Sequence, residues 1–486
     1  MTLAATPPAG AHASHVVATS CPRCAAPLDF AEASNAVRCS HCAVVLLVTG
    51  RRRVLSYTIA PRVTRSEARS VVGFTRPARG APRLGEPRLL LVPYYRLVAE
   101  EVFWQRKRIA APRRPPLEDL DHLGESLLGL PSAVPGRSDE REEIALVGRR
   151  IERSFLACDT SGLATWSLGV RPGVLRLELF RRDALDERAT VLPPTVAADA
   201  ALARALSPLP EVQLVHRDVL RATLSLIYFP LWVAETRPAP ARRATVVDAV
   251  SGSLVARDAD AAGLACRDAP AALDRVIGFR PLTCPNCGWD LPLRPDDVVF
   301  HCTSCERSWE LVGEDLEPVA SIAVAPPPAP ARRAAPDRRV VHHLPVWEVT
   351  ADGRRVARRI GPAGVPQRLY APAFRWRALK ALCDLGARLS RRAPDVAGER
   401  AGASALVGCS LDRADAVTLA RLIALRIVTP HEVRASRRDD LPAVELLAPR
   451  LRLLWLPFAG DAYSVREPFT GWALPRRSVE ELVRGE

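Results

Sequence analysis

Two stretches with the same cysteine spacing decide how this chain is organised. The first is Cys21-Pro22-Arg23-Cys24 followed by Cys39-Ser40-His41-Cys42, and the second is Cys284-Pro285-Asn286-Cys287 followed by Cys302-Thr303-Ser304-Cys305. Each stretch has the pattern C-x2-C-x14-C-x2-C. Two C-x2-C turns at this separation can place four thiolates around one tetrahedral ion. The spacing therefore predicts two separate metal sites, with Cys21, Cys24, Cys39 and Cys42 as ligands of the first and Cys284, Cys287, Cys302 and Cys305 as ligands of the second.

The identity of the metal follows from the ligand type. Four cysteines close the coordination shell, which is typical of structural zinc. Rubredoxin-type iron is the alternative, but Ala43 and Glu306 follow the second turns, where rubredoxins typically carry glycine. We expect two Zn²⁺ ions. The two stretches resemble zinc ribbons of the transcription-factor and rubredoxin-like kind, and the chain as a whole resembles uncharacterised bacterial proteins with tandem zinc ribbons.

Equal ribbons suggest a longer repeat. A proline-bearing apolar strand follows each ribbon, and each half closes with a similar hairpin. Four pairs of residues stand at corresponding places, namely Pro93 with Pro345, Gly169 with Gly386, Arg204 with Arg421, and Gly252 with Gly471. We predict an α+β fold of two diverged repeats. Each repeat is expected to combine a four-cysteine zinc ribbon with a mixed module of antiparallel strands, hairpins and short helices.

The predicted boundaries follow from this pattern. They are a disordered tail over 1–15, a first ribbon over 16–50, a β-rich module over 51–265, a second ribbon over 280–315, a proline-rich linker over 325–337 and a second module over 338–486. Proline within four strand segments predicts edge strands or bulges. Val340–Val349, Asp352-Gly353 and Arg354–Ile360 predict a hairpin. Helices are expected near 374–389 and 411–428, and a capping box at Ser478 predicts a short last helix.

Charge is the second signal. The chain has 486 residues and a formal net charge of +14. Residues 51–120 carry net +10 and residues 331–380 carry net +9, so the basic residues concentrate after each ribbon. The candidate nucleic-acid contacts are Arg51, Arg52, Arg53, Arg106, Lys107 and Arg108, with stacking from Tyr94, Tyr95, Phe103, Trp104, Phe374 and Trp376. The alternative for these aromatic residues is burial in the core.

Several classes of protein are disfavoured. The only lysines, Lys107 and Lys380, do not follow a glycine, so there is no phosphate-binding P-loop and no nucleotide is expected. The longest apolar run, 224–234, is too short to span a membrane, and the N-terminal residues do not form a secretory signal. A cytoplasmic location is expected. Cys158, Cys266, Cys383 and Cys409 are interpreted as small buried residues.

These observations favour a non-catalytic zinc-binding protein that acts as a protein-interaction or assembly scaffold. No acid–base or nucleophile constellation is recognisable in the sequence, so we expect no enzymatic activity. Its partners are expected to be proteins. The alternative is a DNA- or RNA-binding zinc-ribbon protein that uses the arginine-rich tracts.

Overall fold

The computed structural model describes residues 15–50, 54–74, 83–110, 140–158, 176–185, 189–205, 213–237, 243–260, 264, 277–325, 340–356, 365–376, 378–392, 398–399, 405–435, 444–460 and 463–484. The predicted tail over 1–15, apart from His15, lies outside these ranges, as do Arg51–Arg53 and nearly all of the proline-rich linker. His15 is buried, and its carbonyl accepts a hydrogen bond from the Glu32 N–H at 2.8 Å.

The described chain is mixed α+β, with many strands and few helices, as the sequence predicts. The strands of the first half are β1 (Val16–Ser20), β2 (Pro27–Ala31), β3 (Ala36–Arg38), β4 (Val45–Thr49), β5 (Leu55–Ile59), β6 (Arg83–Leu84), β7 (Arg88–Ala110), β8 (Glu140–Leu156), β9 (Arg176–Leu179), β10 (Thr190–Val191), β11 (Gln213–Arg237), β12 (Arg243–Asp248) and β13 (Leu254–Asp260). Those of the second half are β14 (Gly278–Pro281), β15 (Val299–His301), β16 (Ser308–Val312), β17 (Asp315–Val319), β18 (Ser321–Val324), β19 (Val340–Val356), β20 (Arg368–Pro372), β21 (Gly398–Glu399), β22 (Ala405–Leu406), β23 (Val444–Gly460), β24 (Ser464–Arg466) and β25 (Ala473–Pro475).

The helices are α1 (Arg65–Phe74), α2 (Ala198–Ala205), α3 (Leu379–Arg392), α4 (Arg413–Ala435) and α5 (Arg476–Arg484). Asp412 caps α4, because its Oδ1 accepts from the Asp415 N–H at 2.8 Å. The predicted capping role of Ser478 is wrong, since α5 begins two residues earlier at Arg476.

Each half is built on a pair of long antiparallel strands. In the first half β7 pairs with β11 inside an eleven-stranded sheet of order β10-β7-β11-β5-β9-β1-β2, with four further strands attached beside this path. In the second half β19 pairs with β23 inside an eight-stranded sheet of order β20-β19-β23-β18-β21, with three further strands attached. The ribbon hairpin β1–β2 therefore continues the first large sheet. Strand β18, which precedes the proline-rich linker, likewise belongs to the second large sheet.

The sequence suggested that the prolines of these long strands lie on edge strands or bulges. In the structure, Pro93 and Pro345 lie on central strands instead. Pro93 of β7 pairs with Tyr228 of β11, and its carbonyl accepts from the Ala157 N–H at 2.9 Å. On the side of β7 that faces away from β11, β8 pairs with β7 as far as Tyr94. On the same side, β10 pairs with Leu90 and Leu91. The proline, which has no N–H to donate, therefore occupies the place where one neighbouring strand replaces another. Pro345 of β19 lies between β20 and β22 in the same way.

The predicted hairpin at Asp352-Gly353 is also wrong. Strand β19 passes through these residues without turning and stays paired with β23 up to Val356 and Val444. The dipeptide favours a turn locally, but a continuous ladder with β23 outweighs that preference because it satisfies successive backbone groups.

The far ends of the long strands of the first half pack against the second half. Val102, Trp104, Leu146 and Leu220 of β7, β8 and β11 belong to the same apolar core as helices α3 and α4. A bulge at Arg221, where φ is +51°, turns this residue toward the second half. Its N–H donates to Asp415 Oδ2 at 2.7 Å and its Nε donates to the Ser410 carbonyl at 3.0 Å. The far end of the first sheet thus packs into the core of the second half, while the rest of that sheet has a core of its own.

A buried ion pair fastens the first ribbon to its sheet. Arg96 of β7 donates to Glu32, and each side chain is only 3% exposed. Arg96 Nη2 also donates to Glu152 Oε1 of β8 at 2.8 Å. Since a buried charge is costly without its partner, each member of this pair depends on the other.

We expect Arg96→Met to lower the free energy of unfolding by about 3–5 kcal/mol, because the buried Glu32 would lose its ion pair with Arg96. Denaturant titration followed by tryptophan fluorescence measures the change. The double variant Arg96→Met/Glu32→Gln should recover part of the loss. Arg181→Met, which removes one member of the exposed Arg181–Asp183 pair, is the control and should change little. Equal effects of Arg96→Met and Arg181→Met would contradict the argument.

Candidate metal centres

All four C-x2-C turns have one backbone geometry. The N–H of the residue after the second cysteine donates to the carbonyl of the first cysteine, as in Ala25 to Cys21 at 2.8 Å and Gly288 to Cys284 at 2.9 Å. That following residue has a positive φ in each turn, namely Ala25 (58°), Ala43 (58°), Gly288 (76°) and Glu306 (56°). Only one of the four is the glycine that this conformation favours. The three others are held in a left-handed conformation by the turn.

The turns bring the eight predicted ligands together in two groups of four. In the first group the sulfurs of Cys21 and Cys42 are 3.8 Å apart and those of Cys24 and Cys39 are 3.7 Å apart. In the second group, Cys284 and Cys305 are 3.6 Å apart, and Cys287 and Cys302 are 3.5 Å apart. A regular tetrahedron with metal–sulfur bonds of about 2.3 Å has sulfurs about 3.8 Å apart. Both groups therefore fit one tetrahedral metal ion each.

Backbone donors favour the thiolate form at one cysteine of each site. The N–H of Cys42 and, to a smaller extent, that of His41 lower the pKa of Cys39 to about 6 against the effect of desolvation. In the second site burial alone would raise the pKa of Cys284, but the N–H groups of Cys287 and Asn286 outweigh it and bring the pKa to about 7. Each site thus holds a thiol that loses its proton readily near neutral pH.

The two ribbons pack against each other. Strand β14, which leads into the second ribbon, pairs with β4 of the first. Asn35 Nδ2 donates to the Asp297 carbonyl at 3.0 Å. Ala36 and Leu47 of the first ribbon share an apolar cluster with residues of the second, among them Phe300 and Trp309. The metal sites are therefore parts of one joint ribbon unit.

The second ribbon is fastened to helix α4 and the loop before it. Glu310 of β16 is 1% exposed, and its Oε1 accepts from the Arg413 N–H at 2.9 Å, at the first residue of the helix. Its Oε2 lies 3.0 Å from Arg413 Nε. The N–H of Val298 donates to the Cys409 carbonyl at 2.8 Å. A carboxylate at a helix N-terminus stabilises both the helix and the contact.

The other predicted site residues fall in two groups. Arg51, Arg52 and Arg53 lie outside the described residues, and the side chains of Arg106, Lys107 and Arg108 are not described. The register of β7 with β8 places Glu143 opposite Lys107 and Glu142 opposite Arg108. The proposed stacking residues Tyr94, Tyr95, Phe103, Trp104 and Phe374 are buried, and Trp376 packs on the second core. The expectation of base stacking is therefore wrong for the five buried residues, and the alternative of core residues is confirmed for them, whereas Trp376 is only half-buried.

The unpaired cysteines behave as the sequence suggested. Cys158, Cys383 and Cys409 are buried, while Cys266 lies outside the described residues. Burial, followed by the charge of Asp384, raises the pKa of Cys383 to about 12, and burial raises that of Cys409 well above its usual range. These thiols are poor nucleophiles.

Sequence reasoning missed the residues that anchor the ribbons. Glu32 contacts Arg96 across 64 positions and Glu310 contacts Arg413 across 103. No local pattern marks such pairs, because each partner lies on a different element. It also missed Trp289, which follows the first turn of the second ribbon and is 68% exposed.

Comparison with protein-family models, with curated proteins and with solved structures gives no match for this chain. No helix within the described part of the chain is both long enough and apolar enough to cross a membrane.

The turn geometry generates a prediction about Ala25. Ala25→Gly should stabilise the metal-loaded protein by roughly 1 kcal/mol, because glycine relieves the left-handed strain at φ +58°. Ala26→Gly is the matched control, since Ala26 does not have a positive φ, and it should be neutral or destabilising. Thermal unfolding and competition with a chelator measure both variants. A lower midpoint for Ala25→Gly than for Ala26→Gly would show that the left-handed turn is not strained.

Proposed function

We propose that this protein is a non-catalytic zinc-binding protein that acts as a protein-interaction or assembly scaffold. One observation carries the proposal: each site brings together four cysteine sulfurs, which can fill the tetrahedral shell of one metal ion and would leave no ligand position for a substrate. The ribbons are also joined to each other and to both sheets, which suits a rigid frame rather than a mobile catalytic loop. The thiol ligands suit a reducing compartment, and we place the protein in the cytoplasm.

We propose zinc as the metal in both sites. All-thiolate ligands with tetrahedral spacing suit Zn²⁺, with iron as the alternative. The bound ion would add no reaction of its own and would act as a staple between the two turns of each ribbon. Cys21, Cys24, Cys39 and Cys42 would hold one ion, and Cys284, Cys287, Cys302 and Cys305 the other.

Elemental analysis of protein purified without added metal should find two zinc ions per chain. X-ray absorption at the zinc edge should give four sulfur neighbours at about 2.3 Å. Substituting both Cys39→Ser and Cys42→Ser should remove one equivalent and leave the other. Iron in place of zinc, or a single metal per chain, would contradict this assignment.

We further infer that the two halves are diverged repeats. Support comes from the strand register: Pro93 pairs with Tyr228, and Pro345 pairs with Trp455, at the same point of each long pair. Counted from these points, Arg221 corresponds to Ala448, and both have a positive φ, of 51° and 45°.

The closing turns of the two halves also agree. Asp248 accepts from the N–H groups two and three residues ahead, as Glu467 does, and Gly252 and Gly471 follow with φ of +75° and +73°. Arg204 and Arg421 both lie on the helix that follows a short parallel strand, β10 or β22. Gly169 lies outside the described residues, so its correspondence with Gly386 stays a prediction.

A protein partner is favoured over a nucleic acid by the surface of the second ribbon. Residues 285–290 form and follow the first cysteine turn of the second ribbon and are exposed, and Trp289 is among them. Tryptophan is enriched among residues that dominate protein–protein binding. The nucleic-acid alternative depends on the arginine tracts, but its aromatic residues are buried, and glutamates stand opposite Lys107 and Arg108 in the sheet.

A photo-cross-linking amino acid at position 289 should capture a discrete protein in cells. The same amino acid at Tyr463, which is 87% exposed on the second module, is the matched control and should not capture it. Purified chain should bind duplex DNA or RNA only at low salt, with affinity fading between about 50 and 200 mM.

The opposite pattern would overturn the scaffold. Sub-micromolar nucleic-acid binding that survives about 200 mM salt and is abolished by replacing Arg106, Lys107 and Arg108 with alanine would favour the alternative function. Absence of a protein cross-link at position 289 would count against the proposed interaction surface.

A further inference from the structure

The two metal sites differ in how well the chain covers them. In the first site Cys21 and Cys39 are buried, and Cys24 and Cys42 are half-buried against the core of the first sheet. In the second site Cys284 and Cys302 are buried and Cys305 is half-buried, but Cys287 is exposed. Among the eight ligands, Cys287 is the only exposed one.

The surroundings of Cys287 add to this difference. Every residue from Pro285 to Asp290 is exposed, whereas Cys24 and Ala26 at the corresponding places of the first ribbon are half-buried. Cys305 packs against the cluster between the ribbons, but Cys287 is not a member of any apolar cluster among the described residues. Among the eight ligands, Cys287 is therefore the residue most accessible to a reagent in water.

We propose that the second ribbon is a thiol modification site, at which a hydroperoxide oxidises Cys287 and releases the metal while the first ribbon stays loaded. The inference rests on the proposed zinc binding and goes beyond it, because it assigns different chemistry to two sites with the same ligands. Thiolate character and exposure together govern which cysteines oxidise. With zinc bound, all eight sulfurs would be thiolates, so exposure decides between the two ribbons.

The chemistry is a two-electron oxidation. The Cys287 thiolate attacks one oxygen of the hydroperoxide, the O–O bond breaks, and the sulfur becomes a sulfenic acid while the other oxygen leaves as water or alcohol after taking a proton. The Cys302 sulfur, 3.5 Å from that of Cys287, then attacks it. A disulfide forms, and the oxygen leaves as water after taking a second proton. Two thiolates are oxidised and one peroxide is reduced. Loss of two ligands leaves the metal with two sulfurs, which no longer hold it.

The position of the second ribbon gives this step a structural consequence. Strands β15 and β16 border the second turn, and Val299 and Glu310 of these strands hold the loop at Cys409 and the start of α4. The same loop accepts the Nε hydrogen bond of Arg221 from the first half. Metal loss from the second ribbon would loosen a contact on which both halves depend.

The test uses the full-length, zinc-loaded chain, whose metal content is measured first. Hydrogen peroxide is added at increasing concentrations, and a colorimetric zinc indicator follows release. We expect one equivalent to appear at least about tenfold faster than the second. Differential alkylation and mass spectrometry should find the disulfide at Cys287 and Cys302, with Cys21, Cys24, Cys39 and Cys42 still reduced.

Two matched variants assign the fast phase. Cys287→Ser should abolish it, whereas Cys24→Ser, at the corresponding position of the first ribbon, should leave it in place. Hydrogen exchange of the oxidised wild type should increase at residues 407–415. Because hydrogen exchange is measured on the wild type, it tests the inference even if one of the variants folds poorly.

The inference is overturned if both equivalents leave at the same rate, if the first ribbon oxidises first, or if the fast phase survives Cys287→Ser. It is also overturned if peroxide oxidises Cys158, Cys383 or Cys409 while zinc stays bound. A chain that contains no zinc at the outset would instead refute the proposed function, so the two failures are distinguishable.

Discussion

The backbone of the long strands must hydrogen-bond along its whole length, and three of their prolines show how the chain meets this requirement. Strand β11 has 25 residues and β7 has 23, so each is longer than any strand on its outer side, where the longest, β8, has 17. Shorter strands follow one another along the outer side of each long pair. Pro93 and Pro345 lie where one outer strand ends and the next begins, so no N–H is required of them. Pro230 lies in the same way between β5 and β12. The remainder of each sheet, including the attachment of its ribbon, is arranged around these long pairs.

The metal ligands and the fold class could be predicted because they depend on local information. The spacing of Cys21 to Cys42 and of Cys284 to Cys305 is a pattern of neighbours, and the structure groups these sulfurs as expected. The paths of the long strands could not be predicted in this way. Asp352-Gly353 favours a turn by itself, but the ladder with β23 depends on residues about 90 positions away. The expectation that proline marks an edge strand or a bulge was wrong for Pro93 and Pro345, because the missing N–H affects only the outer neighbours and not the pairing of the two long strands.

The connections between ribbon and sheet could not be predicted either, because they also join residues far apart in the sequence. Glu32, Arg96 and Glu310 look like ordinary surface charges in the sequence, and only the assembled fold buries them. Such pairs fix the orientation of a ribbon, because a shift of the ribbon would separate a buried charge from its partner. For the aromatic residues beside the basic tracts, the sequence suggested a surface role, but the structure buries most of them. Tyr94 and Trp104 lie near arginines in the sequence, but the alternation of the strand directs them into the core.

The shared core between the two halves has a consequence for synthesis on the ribosome. Val102, Trp104, Leu146 and Leu220 are complete early, but the helices that cover them, α3 and α4, end at Arg392 and Ala435. At roughly 5–20 residues per second, the first half must wait some tens of seconds with this apolar surface uncovered. An early stop in translation would leave it so permanently. The nascent first half is therefore a natural client for chaperones, and the N-terminal fragment a poor candidate for independent folding.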